Sequence, residues 1–300
     1  MKKYFYRKSD KRFWSIEDKE TSYNTSYGVE YLGRERFGSK SFSSIETCQK
    51  NIKKEIQKKM DDNYKEITII DDFSDISTME YVWEIQQAQI EQPSEYYLNI
   101  SPHVLIKALC KITSLEKLTL RNVEELPKEM RQLVNLKKLN IDFRHNYKAS
   151  MPEGMSKLKE LEELSVHHIC SIDNIEELEN LKKLYIGCWH EGDGIIPENI
   201  GQLKKLTHLH LFYANQIPDT IYELENLEEL GFKFSNVKEL PETIERLSKL
   251  KKLELDFRGN FGDQPLTLPH SFAKLSHLSE LTILGRNVEN VPESFKKLLD

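Results

Sequence analysis

Residues of the types that ligate metals or move protons gather in one stretch: His167, His168, Cys170, Cys188 and His190. Zinc takes imidazole nitrogen and thiolate sulfur, as a rule from closely spaced ligand pairs. No Cys-x-x-Cys pair occurs here, and Cys188 falls at a position that reads as interior. The group is therefore read as a soft core cysteine beside surface histidines, with no metal and no cofactor. Gly-x-Gly-x-x-Gly, Gly-x-x-x-x-Gly-Lys-Ser/Thr, Gly-x-Ser-x-Gly and His-Glu-x-x-His are all missing from the sequence, so an enzyme is not expected. What remains is the chemistry of recognition. Aromatic rings, imidazoles and charges alternate with leucines.

A repeat positions those groups. The pattern L-x-x-L-x-L starts at Leu115, Leu136, Leu161, Leu181, Leu206, Leu227, Leu250 and Leu278, with spacings of 21, 25, 20, 25, 21, 23 and 28 residues. Alternating apolar residues make a short strand with one buried face. Each copy then returns along a second segment, typified by 240–247, where Pro241 suits the first turn of a helix and Glu242 complements its dipole. Only the third copy lacks this proline. No single copy can bury its own leucines, so neighbours must stack. The pattern resembles the leucine-rich repeat family over residues 96–300. The resemblance implies an α/β solenoid with parallel strands on a concave face. In that family an asparagine usually stands three residues after the last strand leucine. Here that row runs from Val123 to Arg286, and one residue earlier aromatics recur at Phe143, Tyr213, Phe234 and Phe257. The expectation is that these aromatics point inward and the Val123-to-Arg286 row faces out.

Reading outward positions from the alternation gives His167, Tyr185, Trp189, His208, His210 and Phe212 at the centre of the concave face. Lys138, Asp142, Lys233, Glu254 and Asp256 lie at its flanks. Rings rimmed by charge have the composition of an interface, so the expected partner is another protein. Long repeats place extra residues at 144–150, 188–194 and 258–267, on one rim. A strand edge near Thr282 with no visible cap offers end-to-end self-association.

Residues 1–67 do not share the repeat. The segments 13–17, 23–32 and 34–42 read as strands, and 44–60 as a basic helix with Ser44 as N-cap. Arg12-Phe13-Trp14-Ser15-Ile16, Tyr27-Gly28, Lys40-Ser41-Phe42 and 58–64 resemble the WGR domain of poly(ADP-ribose) polymerases and many bacterial proteins. The naming triplet reads Tyr27-Gly28-Val29. That family's Trp and Arg contact DNA ends, and a bidentate guanidinium is absent at Val29. Arg34 and Arg36 stand close by, and Lys53 and Lys54 lie on the basic helix. The alternative reading is therefore a nucleic-acid binder that uses Tyr27, Gly28, Arg34, Arg36, Lys53 and Lys54, with the repeats recruiting a second protein.

Charge separates the same parts. Residues 1–67 carry 16 Lys and Arg against 11 Asp and Glu, net +5, and the rest carries 27 against 38, net -11. The expected organisation is a WGR-like α+β domain (1–67), a linker and capping segment (68–95) and the repeats (96–300). Mean hydropathy is -0.59 and no run approaches the roughly 20 apolar residues of a spanning helix. The basic N-terminus precedes no apolar stretch, so the expected location is the cytoplasm.

Overall fold

A computed structural model describes residues 2–29, 34–67, 79–99, 103–143, 149–151, 154–169, 172–188, 196–214, 217–234, 237, 239–258 and 265–298. The chain divides into two compact units, residues 1–92 with 104–112 and residues 93–103 with 113–300.

In the first unit, β1 (Lys2–Arg7), β2 (Arg12–Asp18), β3 (Ser22–Val29), β4 (Arg34–Ser41) and β5 (Lys65–Ile67) form an antiparallel sheet in the order β4-β3-β2-β1-β5. The helix α1 (Ile45–Asp61) starts where the sequence places it, with Ser44 Oγ accepting from Thr47 N–H at 3.2 Å. Its Cys48 and Ile52 close a core with Phe5, Trp14, Ile16, Tyr23 and Tyr64. Two strands, β1 and β5, go beyond the three read from the sequence. Alternation is absent in β1 because Tyr4, Phe5 and Tyr6 are all buried, and α2 (Met79–Glu91) packs against β1 and β5.

The second unit is built on a parallel sheet. Its strands are β6 (Glu95–Leu98), β7 (Lys117–Arg121), β8 (Lys138–Asp142), β9 (Glu163–Ile169), β10 (Lys183–Cys188), β11 (His208–Phe212), β12 (Glu229–Lys233), β13 (Lys252–Asp256) and β15 (Glu280–Leu284). They lie in chain order, with β14 (Leu266–Thr267) paired separately to β16 (Val288–Glu289). The leucines stay in register throughout: Leu118, Leu139, Leu164, Leu184, Leu209, Leu230, Leu253 and Leu281 pair in sequence. Between β6 and β7 lies α3 (His103–Leu109), most of which belongs to the first unit.

The return segments are short 3-10 turns rather than the expected helices, as at Lys128–Gln132, Glu198–Gln202 and Glu242–Arg246. Periods of 20 to 28 residues leave little chain for an α-helix, and a 3-10 turn spans it in fewer residues. Proline sits one place ahead of the turn, at its N-cap, and its carbonyl accepts from the third residue on. Examples are Met130 N–H to Pro127 O at 3.0 Å and Ile244 N–H to Pro241 O at 3.1 Å. An asparagine ladder does exist, displaced to the residue before the first leucine. Asn135, Asn180 and Asn226 donate through Nδ2 to the carbonyls of Thr113, Lys159 and Lys204 one repeat back, at 2.8–2.9 Å.

The aromatic row divides in two. Phe143 and Phe257 point inward and are fully buried, as expected. Tyr213 and Phe234 instead take left-handed backbone, φ 57° and 52°. Asn122, His168 and Gly285 do the same at the equivalent position of their repeats. The next residue fills the interior at Val123, Ile169 and Ala214, which corrects the expectation that the row faces out at those positions, whereas Arg258 of the same row is exposed and Arg286 half-buried. Repeat length governs the choice. The 25-, 25- and 28-residue repeats continue inward through Phe143, Cys188 and Phe257, whereas the shorter ones turn.

Because Phe143 fills an interior slot completely, Phe143→Ala is expected to cost about 3–5 kcal/mol. Chemical denaturation measures this, and a loss below about 1 kcal/mol would contradict the inward assignment.

Candidate functional site

Outward side chains of the parallel sheet form three rows, set by the period of two along each strand. The row before the second leucine of the pattern, the first in each strand, is ionic. Lys138 Nζ lies 2.9 Å from Glu163, Lys252 Nζ lies 3.3 Å from Glu229, and Lys117 pairs with Glu95. The exposed pair Lys117–Glu95 contributes little to stability.

The middle row carries Tyr185, His210 and Gly231, which pair across β10, β11 and β12. The His210 imidazole stacks on Tyr185 at 5.3 Å between centroids and 14° between planes. Its Nε2 lies 2.9 Å from Glu229 Oε1, which places the proton on Nε2 so that it can donate. Gly231 makes room for the ring, because a Cβ there would fall 2.2 Å from His210 Nδ1. His210 therefore faces outward yet is only 6% exposed. It is a foundation of the face more than a contact.

The third row repeats the device. Gly187 of β10 leaves a gap between His167 of β9 and Phe212 of β11, and their rings approach across it to 6.1 Å. A Cβ at Gly187 would lie 2.9 Å from His167 Nδ1. His167 Nε2 also lies 3.1 Å from Ser165 Oγ. Further along, Lys233 Nζ sits 5.7 Å from the Phe212 ring centre and 2.9 Å from Glu254. Asp256 is 2% exposed, its oxygens held by the Arg258 guanidinium at 2.7 and 2.9 Å, so it supplies no open charge to the face. His208 is half-buried and lies 3.8 Å from Glu229. Trp189, Cys170 and His190 lie outside the described residues, as do most of the three long-repeat insertions. His168 Nδ1 pairs with Asp142 at 2.8 Å, and among the described residues no three metal-ligating side chains converge.

Electrostatics follow burial. Desolvation lowers the pKa of His167 and of His210, in the latter case against the pull of Glu229. Burial also raises the Tyr185 phenol. Desolvation works against the Glu229 carboxylate, yet hydrogen bonds from Lys252 and His210 hold its pKa below the usual range. The centre of the face is therefore a neutral, ring-rich strip with charges paired around it.

In the first unit, Tyr27 of β3 pairs with Arg36 of β4, on the same sheet face as Trp14. Tyr27 is 44% exposed and Arg36 is exposed. Gly28 pairs with Glu35, Arg34 opens β4, and Lys53 and Lys54 are exposed on α1. The opposite face holds a groove of about 500 Å³, floored by the Ser15–Ser26 hydroxyl pair at 2.7 Å and flanked by Phe37.

The two glycines went unread in the sequence. Their signal was present, since glycine weakens a strand interior unless another group approaches closely.

No family model and no curated protein matches the chain. Solved structures do. An internalin of Listeria monocytogenes is 18% identical over 74% of this chain and 72% of its own, with a TM-score of 0.49. A leucine-rich repeat protein of Leptospira interrogans is 22% identical over 67% and 61%, at 0.44. The leucine-rich repeat domain of the type III effector XopL is 20% identical over 71% of this chain and 85% of that domain, with a TM-score of 0.51. With the parallel sheet, the last match establishes that the second unit has the leucine-rich repeat fold.

Two outcomes are expected. Gly231→Ala costs about 1–3 kcal/mol by displacing the imidazole, and adding His210→Ala restores much of that loss; additive losses in a double-mutant cycle would contradict the packing. Because both histidines titrate below their ordinary value of about 6.5, the unfolded chain takes up protons first. Stability conferred by the neutral rings is thus present above about pH 6.5 and falls as pH drops below it. The urea midpoint should decline through this window in the wild type and less steeply in His167→Gln/His210→Gln; equal slopes would contradict it.

Proposed function

We propose that this protein is a non-enzymatic scaffold that binds another protein through the outward, concave face of its repeats. The observation that carries this reading is the strip Tyr185, His167 and Phe212. Its rings are held in fixed positions by the gap at Gly187 and by the buried His210 beneath Tyr185. Rings immobilised before binding lose little conformational entropy on binding, which is what an interface centre needs. Paired charges around the strip exclude mismatched partners and orient the right one. His208 and Lys233 extend this surface, and Asp256 anchors its rim.

In the same proposal residues 1–67 are a WGR-like module, on an order of four strands, the helix α1 and the closing strand β5. A second reading, nucleic-acid binding by Tyr27, Gly28, Arg34, Arg36, Lys53 and Lys54, is favoured by the exposure of Tyr27, Arg36 and both lysines beside a net charge of +5 over residues 1–67. The described sheet ends at β15, and end-to-end pairing of two copies through that strand belongs to the same proposal.

Tyr185→Ala/Phe212→Ala leaves the leucine core untouched and should fold. It is expected to lose at least about tenfold in affinity for a partner captured from native lysate under nuclease. Unchanged capture would refute the face, and capture abolished by nuclease alone would move the activity to the basic residues of the first unit.

A further inference from the structure

Five of the eight repeats turn at the second residue after their last apolar strand position, with left-handed φ at Asn122 (56°), His168 (59°), Tyr213 (57°), Phe234 (52°) and Gly285 (82°). Glycine takes this conformation freely, and asparagine and histidine are enriched in it. A bulky ring there is an outlier, because its Cβ crowds the backbone. The same turn is made in three other repeats of this chain without a large ring. The turn itself therefore does not call for a ring at Tyr213 or Phe234. Nor does Tyr213 fill the interior, since the adjacent Ala214 takes that slot.

The two rings instead form a shelf. Tyr213 is 36% exposed and Phe234 half-buried, and they stack at 5.2 Å with 18° between planes. Their backbones are fixed to the next strands, Tyr213 N–H donating to Lys233 O at 2.9 Å and Phe234 N–H to Asp256 O at 2.7 Å. Phe143 and Phe257 occupy the same ordinal position, turn inward and disappear into the core. Strained backbone carrying exposed rings is the kind of arrangement retained where the rings are used.

We propose that Tyr213 and Phe234 are a docking shelf for an uncharged, proline- or aliphatic-bearing loop of the partner protein. This rests on the concave-face reading and specifies what part of the partner it takes. Among the described residues, the charges beside the strand ends that hold the shelf are paired. Lys233 is neutralised by Glu254 at 2.9 Å, and Arg258 by the buried Asp256 at 2.7 Å. With those charges already matched inside the chain, the ring faces are left to do the selecting, and flat stacked rings favour apolar side chains.

The test pans a phage-displayed library of random peptides against the full-length protein, with counter-selection on Tyr213→Asn/Phe234→Asn. Selected peptides are expected to carry proline or aliphatic residues and to bind the wild type at least about tenfold more tightly than the double variant. Their affinity should hold steady between about 0.05 and 0.5 M salt. The double variant should melt within about 4 °C of wild type, while Phe143→Asn, at the matching position, unfolds far below it. A comparable collapse of the double variant would overturn the proposal by making the rings structural. So would peptides that are charged and salt-sensitive, or an absence of ring-dependent binders. If peptides bind the double variant fully but are lost with Tyr185→Ala/Phe212→Ala, the shelf fails while the interaction face stands.

Discussion

A repeat of 20 to 28 residues supplies a few inward leucines and cannot enclose them. Each leucine becomes buried only because the next copy presents its own leucine at the same height, and the unbroken register from Leu118 to Leu281 is that condition made visible. Burial of each such side chain contributes roughly 1.5–3 kcal/mol relative to exposure. The strands must therefore be parallel and in step, and their other face is committed to a flat array of side chains in rows. Everything on the candidate site inherits its spacing from that register.

Within the array, size differences do the shaping. Two outward positions carry glycine, and each is filled by an imidazole from the neighbouring strand. The result is a surface whose rings are already placed. The same economy acts at the strand ends. Where a repeat is long, the chain continues inward through Phe143, Cys188 or Phe257. Where it is short, the chain must turn at once, and the turning residue is pushed out of the core. Tyr213 and Phe234 are exposed by that rule.

The leucine register, the Ser44 cap and the outward identity of His167, Tyr185 and Phe212 were legible in the sequence, because period and cap chemistry are local properties. The burial of His210 and Asp256 was not, since it depends on Gly231, Glu229 and Arg258 acting across strands or turns. The aromatic row was misread at Tyr213 and Phe234 because residue type was weighed and repeat length was not. In the first unit, β1 escaped because a strand with consecutive buried aromatics shows no alternation. The 3-10 return turns followed from the short periods, and proline only marked their start.

The central claim is that the protein recognises a partner through preset rings on the repeat sheet. Hydrogen–deuterium exchange on the full chain, with and without the captured partner, tests it most directly. New protection concentrated in β9, β10, β11 and β12 is the predicted result. Protection confined to residues 2–67, with those strands unchanged, would contradict it.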